Sequence, residues 1–176
     1  MTANTTQAHV DGPPLVRLED LLWVAEIPML GAARFPQRDA IIFAEHGIHS
    51  TFAELEAQTN AFVAAMRARG LKAGERIAYL GRNNDLFFAV LFGSIRAGLV
   101  LVPLNWRLAP PELAYQLQDS QSRLLICDAD LVGAAQQAIA GLPAPLPVVL
   151  TEARRATVPC VNCSNSRLRS WRHQKR

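Results

Sequence analysis

The sequence lacks the features of secreted and disulfide-bonded proteins. Its 176 residues include only three cysteines, an odd number that argues against a disulfide framework in a chain of this length. Residues 1–14 are polar and have neither the charged start nor the apolar centre of a secretory signal. We therefore expect a cytoplasmic protein whose residues 1–14 form a flexible leader.

An uninterrupted apolar run long enough to span a membrane is also missing. Residues 86–104 come nearest, but Ser94 and Arg96 lie near the middle of the run, and Gly98 and Pro103 break it further. A central arginine costs about 2.5–3.5 kcal/mol on membrane-insertion scales. The run therefore predicts a buried helix followed by a buried strand, with no membrane span.

Sequence motifs of several enzyme classes are missing as well. The chain has no G-x-G-x-x-G or Walker A loop, no G-x-S-x-G elbow and no H-E-x-x-H helix. Glu112 and Asp119 lie seven residues apart on a predicted helix, where a solvated face explains them better than a catalytic pair. Cys127 ends an apolar strand and is expected to be a small buried side chain. The histidines fall in the leader, a predicted hairpin and the C-terminal tail, which are poor positions for a catalytic base: His9, His46, His49 and His173.

Charge is distributed unevenly along the chain. The formal net charge of +3 and the sequence pI near 9.1 suggest a basic protein. Residues 1–150, however, hold eleven Lys and Arg against fourteen Asp and Glu, a net charge of −3. Residues 151–176 hold seven basic residues and one acid, a net charge of +6. The chain is thus a mildly acidic body followed by a basic tail.

The body alternates predicted helices and strands. Pro28 is expected to kink or end the first helix. Thr51 and Glu54 form a capping box at the start of the next helix, and Gly70 supplies the left-handed residue that ends it. In chain order the pattern predicts a helix over 15–35, hairpin strands at 40–44 and from 48, a helix over 52–69, strands at 76–80, 99–102, 123–127 and 147–150, and helices over 85–97, 110–119 and 130–140.

The order from residue 76 onward is β-α-β-α-β-α-β. These strands are apolar without alternation, which is typical of strands buried on both faces in a parallel sheet between helix layers. Pro103 is expected to end the second of them. The predicted fold class is α/β, with a layered parallel sheet flanked by helices and preceded by a helix and a β-hairpin.

One loop of this pattern is a candidate ligand site. Parallel sheets bind ligands at the carboxyl ends of their strands, and residues 81–84 follow the first strand of the predicted sheet. Arg82 and the helix N-terminus behind it can receive a phosphate. The loop has a single glycine, however, and a polar turn in which Asn84 caps the following helix explains it better.

Several motifs in register over residues 17–150 resemble those of a known enzyme family. They include Thr51-Phe-Ala-Glu54-Leu55, Arg69-Gly70-Leu71-Lys72-Ala73-Gly74, Arg96-Ala97-Gly98 and Asn105-Trp106-Arg107-Leu108-Ala109-Pro110-Pro111-Glu112-Leu113. In order and spacing they resemble the start of the adenylate-forming (AMP-binding) enzymes. The last string is most similar to the carboxylic acid–CoA ligases of that superfamily, the acyl- and aryl-CoA synthetases. The resemblance implies that residues 15–150 are an incomplete N-terminal domain of such an enzyme.

The resemblance also implies a two-step reaction and its cofactors. A carboxylic acid attacks ATP, with Mg²⁺ present, to give an acyl-adenylate and pyrophosphate, and the thiol of coenzyme A then takes the acyl group. Such reactions serve fatty acid metabolism among other routes. The resemblance further implies that Arg107 contacts the nucleotide of coenzyme A, because a guanidinium fork suits a phosphate. A surface arginine that pairs with Glu112 or a helix end is the simpler explanation of Arg107.

Catalysis in this family depends on a Gly-rich phosphate loop ending in Pro-Lys-Gly, an acidic ATP motif and a small C-terminal domain with a catalytic lysine. None of these is found in the 176 residues. We therefore predict a truncated fragment with no catalytic residue and no metal site, inactive because this chemistry depends on positioning and charge stabilisation. A different hypothesis is a short non-catalytic binding or regulatory module with a basic tail.

The tail, residues 151–176, shows neither helical nor alternating periodicity, and three interpretations stay open. Basic residues attract phosphate, but here they are scattered, so nucleic acid is not the expected partner. Cys160 and Cys163 have zinc-ligand spacing with His173 as a third donor, although a structural site needs four ligands. A change of reading frame in a gene of this family explains the abrupt shift in composition and is the favoured interpretation.

Overall fold

The computed structural model describes residues 24–44 and 47–151. Three predicted segments lie outside the described residues: the leader, the first part of the first helix and the tail beyond Thr151. The same holds for His9, His46, His173, Cys160 and Cys163. The described helices are α1 (Ile27–Arg34), α2 (Phe52–Ala68), α3 (Asp85–Arg96), α4 (Pro110–Asp119) and α5 (Val132–Ala140). The described strands are β1 (Asp39–Phe43), β2 (Ile48–Thr51), β3 (Arg76–Leu80), β4 (Val100–Leu104), β5 (Leu124–Asp128) and β6 (Val148–Thr151).

The hairpin and the capping box are confirmed. Strands β1 and β2 pair antiparallel, and His49 on β2 places its Nδ1 3.0 Å from Asp39 Oδ2. At the start of α2, the Glu54 N–H donates to Thr51 Oγ1 over 3.2 Å, and the Thr51 N–H donates to Glu54 Oε2 over 2.9 Å. Gly70 follows α2 at φ +76°, a conformation that glycine adopts without strain. Residues next to the helix in the sequence therefore determine where α2 begins and ends.

The predicted α/β class is also confirmed. Strands β3 to β6 form one parallel sheet in the order β4-β3-β5-β6. On β3, Ile77 and Tyr79 pack in the layer of α2 and α3, while Ala78 and Leu80 pack in the layer of α4 and α5. Because helices cover both faces, the central strands have apolar side chains at consecutive positions. The helix side chains in the two layers include Phe62, Met66 and Val90 on one face, and Leu113, Leu117, Ala135 and Ala138 on the other.

The expectation that Pro28 kinks or ends the first helix is wrong. A short 3₁₀ turn at Val24–Glu26 leads into α1, which begins at Ile27 and has Pro28 in its first turn. Proline is accepted there because the first N–H groups of a helix have no partner within the helix.

The expectations for the second strand of the sheet are wrong in two respects. Strand β4 continues through Pro103 to Leu104, and it lies at an edge of the described sheet. Val100, at its start, is 48% exposed, so β4 is not buried on both faces. An edge strand tolerates proline because one row of its N–H groups forms no ladder hydrogen bonds. Sequence alone did not separate an edge strand from a central one.

Among the described residues, no helix is long and apolar enough to cross a membrane. The apolar run over residues 86–104 forms most of α3 together with β4, as its interruptions predicted. A small difference occurs at the last helix, where a 3₁₀ turn at Ala129–Leu131 precedes α5.

Candidate functional site

The carboxyl ends of the parallel strands meet along one edge of the sheet. Leu80 of β3 is level with Leu104 of β4 and Cys127 of β5, and Asp128 is level with Thr151 of β6. The chain leaves β3 for β4 on one side and then crosses to β5 on the other, so the order of the strands reverses between β3 and β5. Ligands of doubly wound sheets bind outside such a reversal, which makes the loops after β3 and β5 the candidate site.

Asp128, at the end of β5, joins these loops through its carboxylate. Its side chain accepts a hydrogen bond from the Arg82 N–H over 2.9 Å, from the Thr151 hydroxyl over 2.6 Å and from the Asn84 side-chain amide over 3.4 Å. The Tyr79 hydroxyl lies 3.3 Å away from it. Asp128 is only 4% exposed, and a buried carboxylate with its hydrogen bonds satisfied holds its partners in one arrangement.

Gly81 and Asn84 adapt the loop after β3 to this carboxylate. A Cβ atom added at Gly81 would lie 2.6 Å from the Tyr79 hydroxyl and 2.7 Å from Asp128 Oδ2, so only glycine permits the close approach. Asn84 Oδ1 accepts from the Phe87 N–H over 2.9 Å, which confirms Asn84 as the N-cap of α3. The polar turn predicted for residues 81–84 is therefore what the structure contains.

Burial controls the protonation of two groups at this edge. Burial, reinforced by the neighbouring Asp128, raises the pKa of the Tyr79 hydroxyl well above its ordinary value. Burial and then Asp128 raise the pKa of the Cys127 thiol to about 12. Both groups therefore stay protonated at neutral pH, so neither is a base or a nucleophile there. The expectation that Cys127 is a small buried side chain is confirmed.

Two arginines converge on one aromatic ring beside the network. The guanidinium carbons of Arg82 and Arg107 each lie 4.8 Å from the centroid of the Trp106 ring. Arg82 Nη2 is also 3.4 Å from Asp130 Oδ2, in a pair that is half exposed. Trp106 itself remains 36% exposed. Guanidinium groups beside an accessible aromatic ring suit a ligand that carries both phosphate and a flat ring.

Arg107 is exposed, as its simpler explanation as a surface arginine predicts. The Glu112 carboxylate accepts from the Ala109 N–H over 2.8 Å and so caps α4, and no ion pair joins Glu112 to Arg107 among the described residues. Asp119 ends α4 and is exposed, as a solvated face predicts. Sequence reasoning missed Asp128 and the stacking role of Trp106. Asp128 could have been found from the sequence, because it is a polar residue directly after the apolar residues Leu124–Cys127.

A metal ion has no ready set of ligands among the described residues, because no group of three or more His, Cys, Asp and Glu side chains is placed to hold one there.

The AMP-binding enzyme family model matches residues 31–168 of the sequence, which is most of the chain. The chain belongs to the AMP-binding enzyme family. The resemblance seen in the motifs is thereby confirmed.

The relatives of this AMP-binding chain are ligases that act on carboxylic acids. A 3-hydroxybenzoate–CoA/4-hydroxybenzoate–CoA ligase of Thauera aromatica is 37% identical over 125 residues, which cover 71% of this chain and 23% of that protein. A benzoate CoA ligase from Burkholderia xenovorans LB400 superposes with a TM-score of 0.66 at 26% identity, over 72% of this chain and 25% of its own. The N-terminal domain of FACL13 from Mycobacterium tuberculosis superposes with a TM-score of 0.65 at 26% identity, over 81% of this chain and 39% of its own. The AMP-binding chain thus spans about a quarter of the full-length ligases it matches.

Proposed function

We propose that this chain carries the N-terminal portion of an ATP-dependent acid–CoA ligase and that Arg107 contacts the nucleotide of coenzyme A. The observation that carries the proposal is the convergence of Arg82 and Arg107 on Trp106 at the carboxyl edge of the sheet. The proposal includes a carboxylic acid substrate, a cytoplasmic location and a domain over residues 15–150, which the structure extends by Thr151 of β6, with residues 1–14 and the rest of the tail outside it. The similarity to hydroxybenzoate– and benzoate–CoA ligases supports the substrate class.

The described residues match the chemistry of the coenzyme A nucleotide. Coenzyme A carries phosphates and an adenine ring, which match two guanidinium groups and an exposed indole. We therefore assign to Arg107 and Trp106 the binding and orientation of the nucleotide, and we assign no step at a metal to the described residues.

Binding of coenzyme A to the purified chain tests this assignment. Removing a guanidinium that hydrogen-bonds a phosphate costs about 1.5–3 kcal/mol, so Arg107→Ala should weaken binding by about tenfold or more. Calorimetric titration of coenzyme A into wild-type and variant protein measures the change.

Two controls separate a specific contact from a general loss of positive charge. Arg67→Ala removes an exposed arginine at the end of α2, where the turn at Gly70 leads back to the start of β3, and it should leave the affinity unchanged. Pantetheine, which lacks the nucleotide, should bind Arg107→Ala and wild-type protein equally. Equal affinity of both proteins for coenzyme A would show the assignment to be wrong.

We further propose that the chain by itself does not catalyse adenylation. The Gly-rich loop, the acidic ATP motif and the catalytic lysine are not in its sequence, and the reaction depends on groups that position and neutralise the phosphates. A coupled assay with ATP, Mg²⁺ and a panel of benzoates and fatty acids should detect no acid-dependent release of pyrophosphate. Release that requires the acid and grows with protein concentration would overturn this part of the proposal.

A further inference from the structure

We propose that Asp128 is a positioning residue of this site, which holds the loop over residues 81–84 so that Arg82 lies against Trp106 and supplies a second cation to a phosphate-bearing ligand. The inference rests on the proposed function for its ligand. It adds Asp128, to which neither the motifs nor the similarity to other ligases assigns a role, and it explains how Arg82, a candidate phosphate contact in the sequence, is held in place.

The hydrogen bonds of Asp128 act on the backbone that carries Arg82. Oδ2 accepts from the Arg82 N–H over 2.9 Å and from the Asn84 side-chain amide over 3.4 Å. It therefore holds the loop at two positions, Arg82 and Asn84. The other oxygen, Oδ1, accepts from the Thr151 hydroxyl over 2.6 Å and anchors the carboxylate to β6. Oδ2 therefore binds the loop, and Oδ1 binds the neighbouring strand of the sheet.

The position of the Arg82 side chain follows from this anchoring. Its guanidinium reaches Trp106 at 4.8 Å and Asp130 at 3.4 Å, while its backbone is fixed by Asp128. An exposed arginine on an unanchored loop samples many rotamers, and ordering it at the moment of binding lowers affinity. Anchoring by Asp128 and stacking on Trp106 remove part of that cost before the ligand arrives.

Trp106 fluorescence reports the position of Arg82 without any ligand. The chain has three tryptophans, so Trp23→Phe with Trp171→Phe leaves Trp106 as the single emitter. In this background, Asp128→Asn should raise the acrylamide quenching of Trp106 to the value found for Arg82→Ala. Asp119→Asn, which makes the same change to an exposed carboxylate at the end of α4 outside this network, is the matched control and should leave quenching unchanged.

A double-mutant cycle on ligand affinity separates positioning from a general structural effect. The probe is adenosine 3′,5′-bisphosphate, which carries two phosphates and an adenine. Arg82→Ala should weaken its binding by about tenfold, as expected for a lost charge-assisted hydrogen bond. Asp128→Asn should also weaken it in the wild-type background but cause no further loss in the Arg82→Ala background, because it acts through Arg82.

A second variant keeps the inference testable if Asp128→Asn does not fold. Gly81→Ala leaves the carboxylate in place but puts a Cβ atom 2.7 Å from Asp128 Oδ2, which pushes the loop away. It should reproduce the change in Trp106 quenching.

The outcomes distinguish this inference from the proposed function. Unchanged quenching in both Asp128→Asn and Gly81→Ala, or additive losses of affinity in the cycle, would overturn the role of Asp128. Wild-type protein that binds neither coenzyme A nor the bisphosphate would refute the ligand, and with it the role of Arg82 as a second cation, while the quenching result still decides whether Asp128 positions the loop.

Discussion

Several polar side chains at the carboxyl edge of the sheet are buried. Asp128, Tyr79 and Thr151 are all buried, yet each has a hydrogen-bond partner in the same network. Burial makes such a network sensitive to single substitutions, because a polar group left without its partner bears the full cost of desolvation. The same burial suppresses ionisation of the neighbouring Cys127 thiol.

The pH dependence of stability tests the burial of Cys127. Its pKa is raised by burial, and then by Asp128 and Asp130, from an ordinary 9.0 to about 12 in the folded protein. The folded state therefore favours the protonated thiol, so this contribution to stability is complete below pH 9 and is lost as pH rises from 9 toward 12. Urea unfolding of Cys160→Ser/Cys163→Ser protein, compared with the same protein carrying Cys127→Ala, should show a steeper loss above pH 9 when Cys127 is present.

Thiol labelling of the same variant provides a second check. With Cys127 as the only cysteine, a thiol reagent at pH 8 should modify the native protein only as fast as the thiol becomes exposed by unfolding. Labelling as rapid as that of the urea-unfolded chain would contradict the buried position of Cys127.

Helix ends are the elements in which sequence and structure agree most closely. The capping box of α2 and the N-cap of α3 involve residues within three positions of each other, so chain neighbours alone make these contacts. The second cap has an additional tertiary role, since the Asn84 amide also donates to Asp128. An element boundary can thus be local in origin and still contribute to a site.

The contribution of the α2 cap has a measurable size. Thr51→Ala should lower the free energy of unfolding by about 1 kcal/mol, because the Glu54 N–H loses its acceptor. Thr51→Ser keeps the hydroxyl and should change stability by less than about 0.5 kcal/mol. Urea denaturation followed by circular dichroism measures both, and equal losses in the two variants would show that the hydroxyl is not what stabilises the helix.

The part of the molecule that the structure describes is a parallel sheet with a helix layer on each face and a hairpin packed beside α2 and α3. Arg96, at the end of α3, fixes the N-terminal part of this arrangement through a pair with Glu56 at 2.8 Å and a hydrogen bond to the Ala25 carbonyl at 2.8 Å. Among the described residues, β6 pairs with β5 alone, and Leu150 on β6 is 39% exposed. Such an edge can pair with another chain.

We expect the exposed edge at β6 to allow self-association. At high concentration, the purified chain should form oligomers that grow with concentration, and Leu150→Lys should reduce them because a charged edge residue opposes pairing. Tyr115→Lys changes an exposed side chain on α4 and should have no such effect. Light scattering after size-exclusion chromatography measures the distribution. A wild-type chain that stays monodisperse at every concentration would instead favour a self-contained binding or regulatory module.

The sequence by itself determined the element types, the capping box and the N-cap at Asn84, because these depend on side-chain chemistry at short spacing. Its motifs in register over residues 17–150 carried the resemblance to the family. It did not determine that Pro103 lies within an edge strand or that Pro28 begins a helix, since both depend on which neighbours an element acquires. Only the tertiary structure brought Asp128 to the loop at residues 81–84, more than forty residues earlier, and stacked Arg82 and Arg107 on one ring. The physical reason is that strand order, and not chain order, decides which loops are neighbours at the carboxyl edge of a parallel sheet.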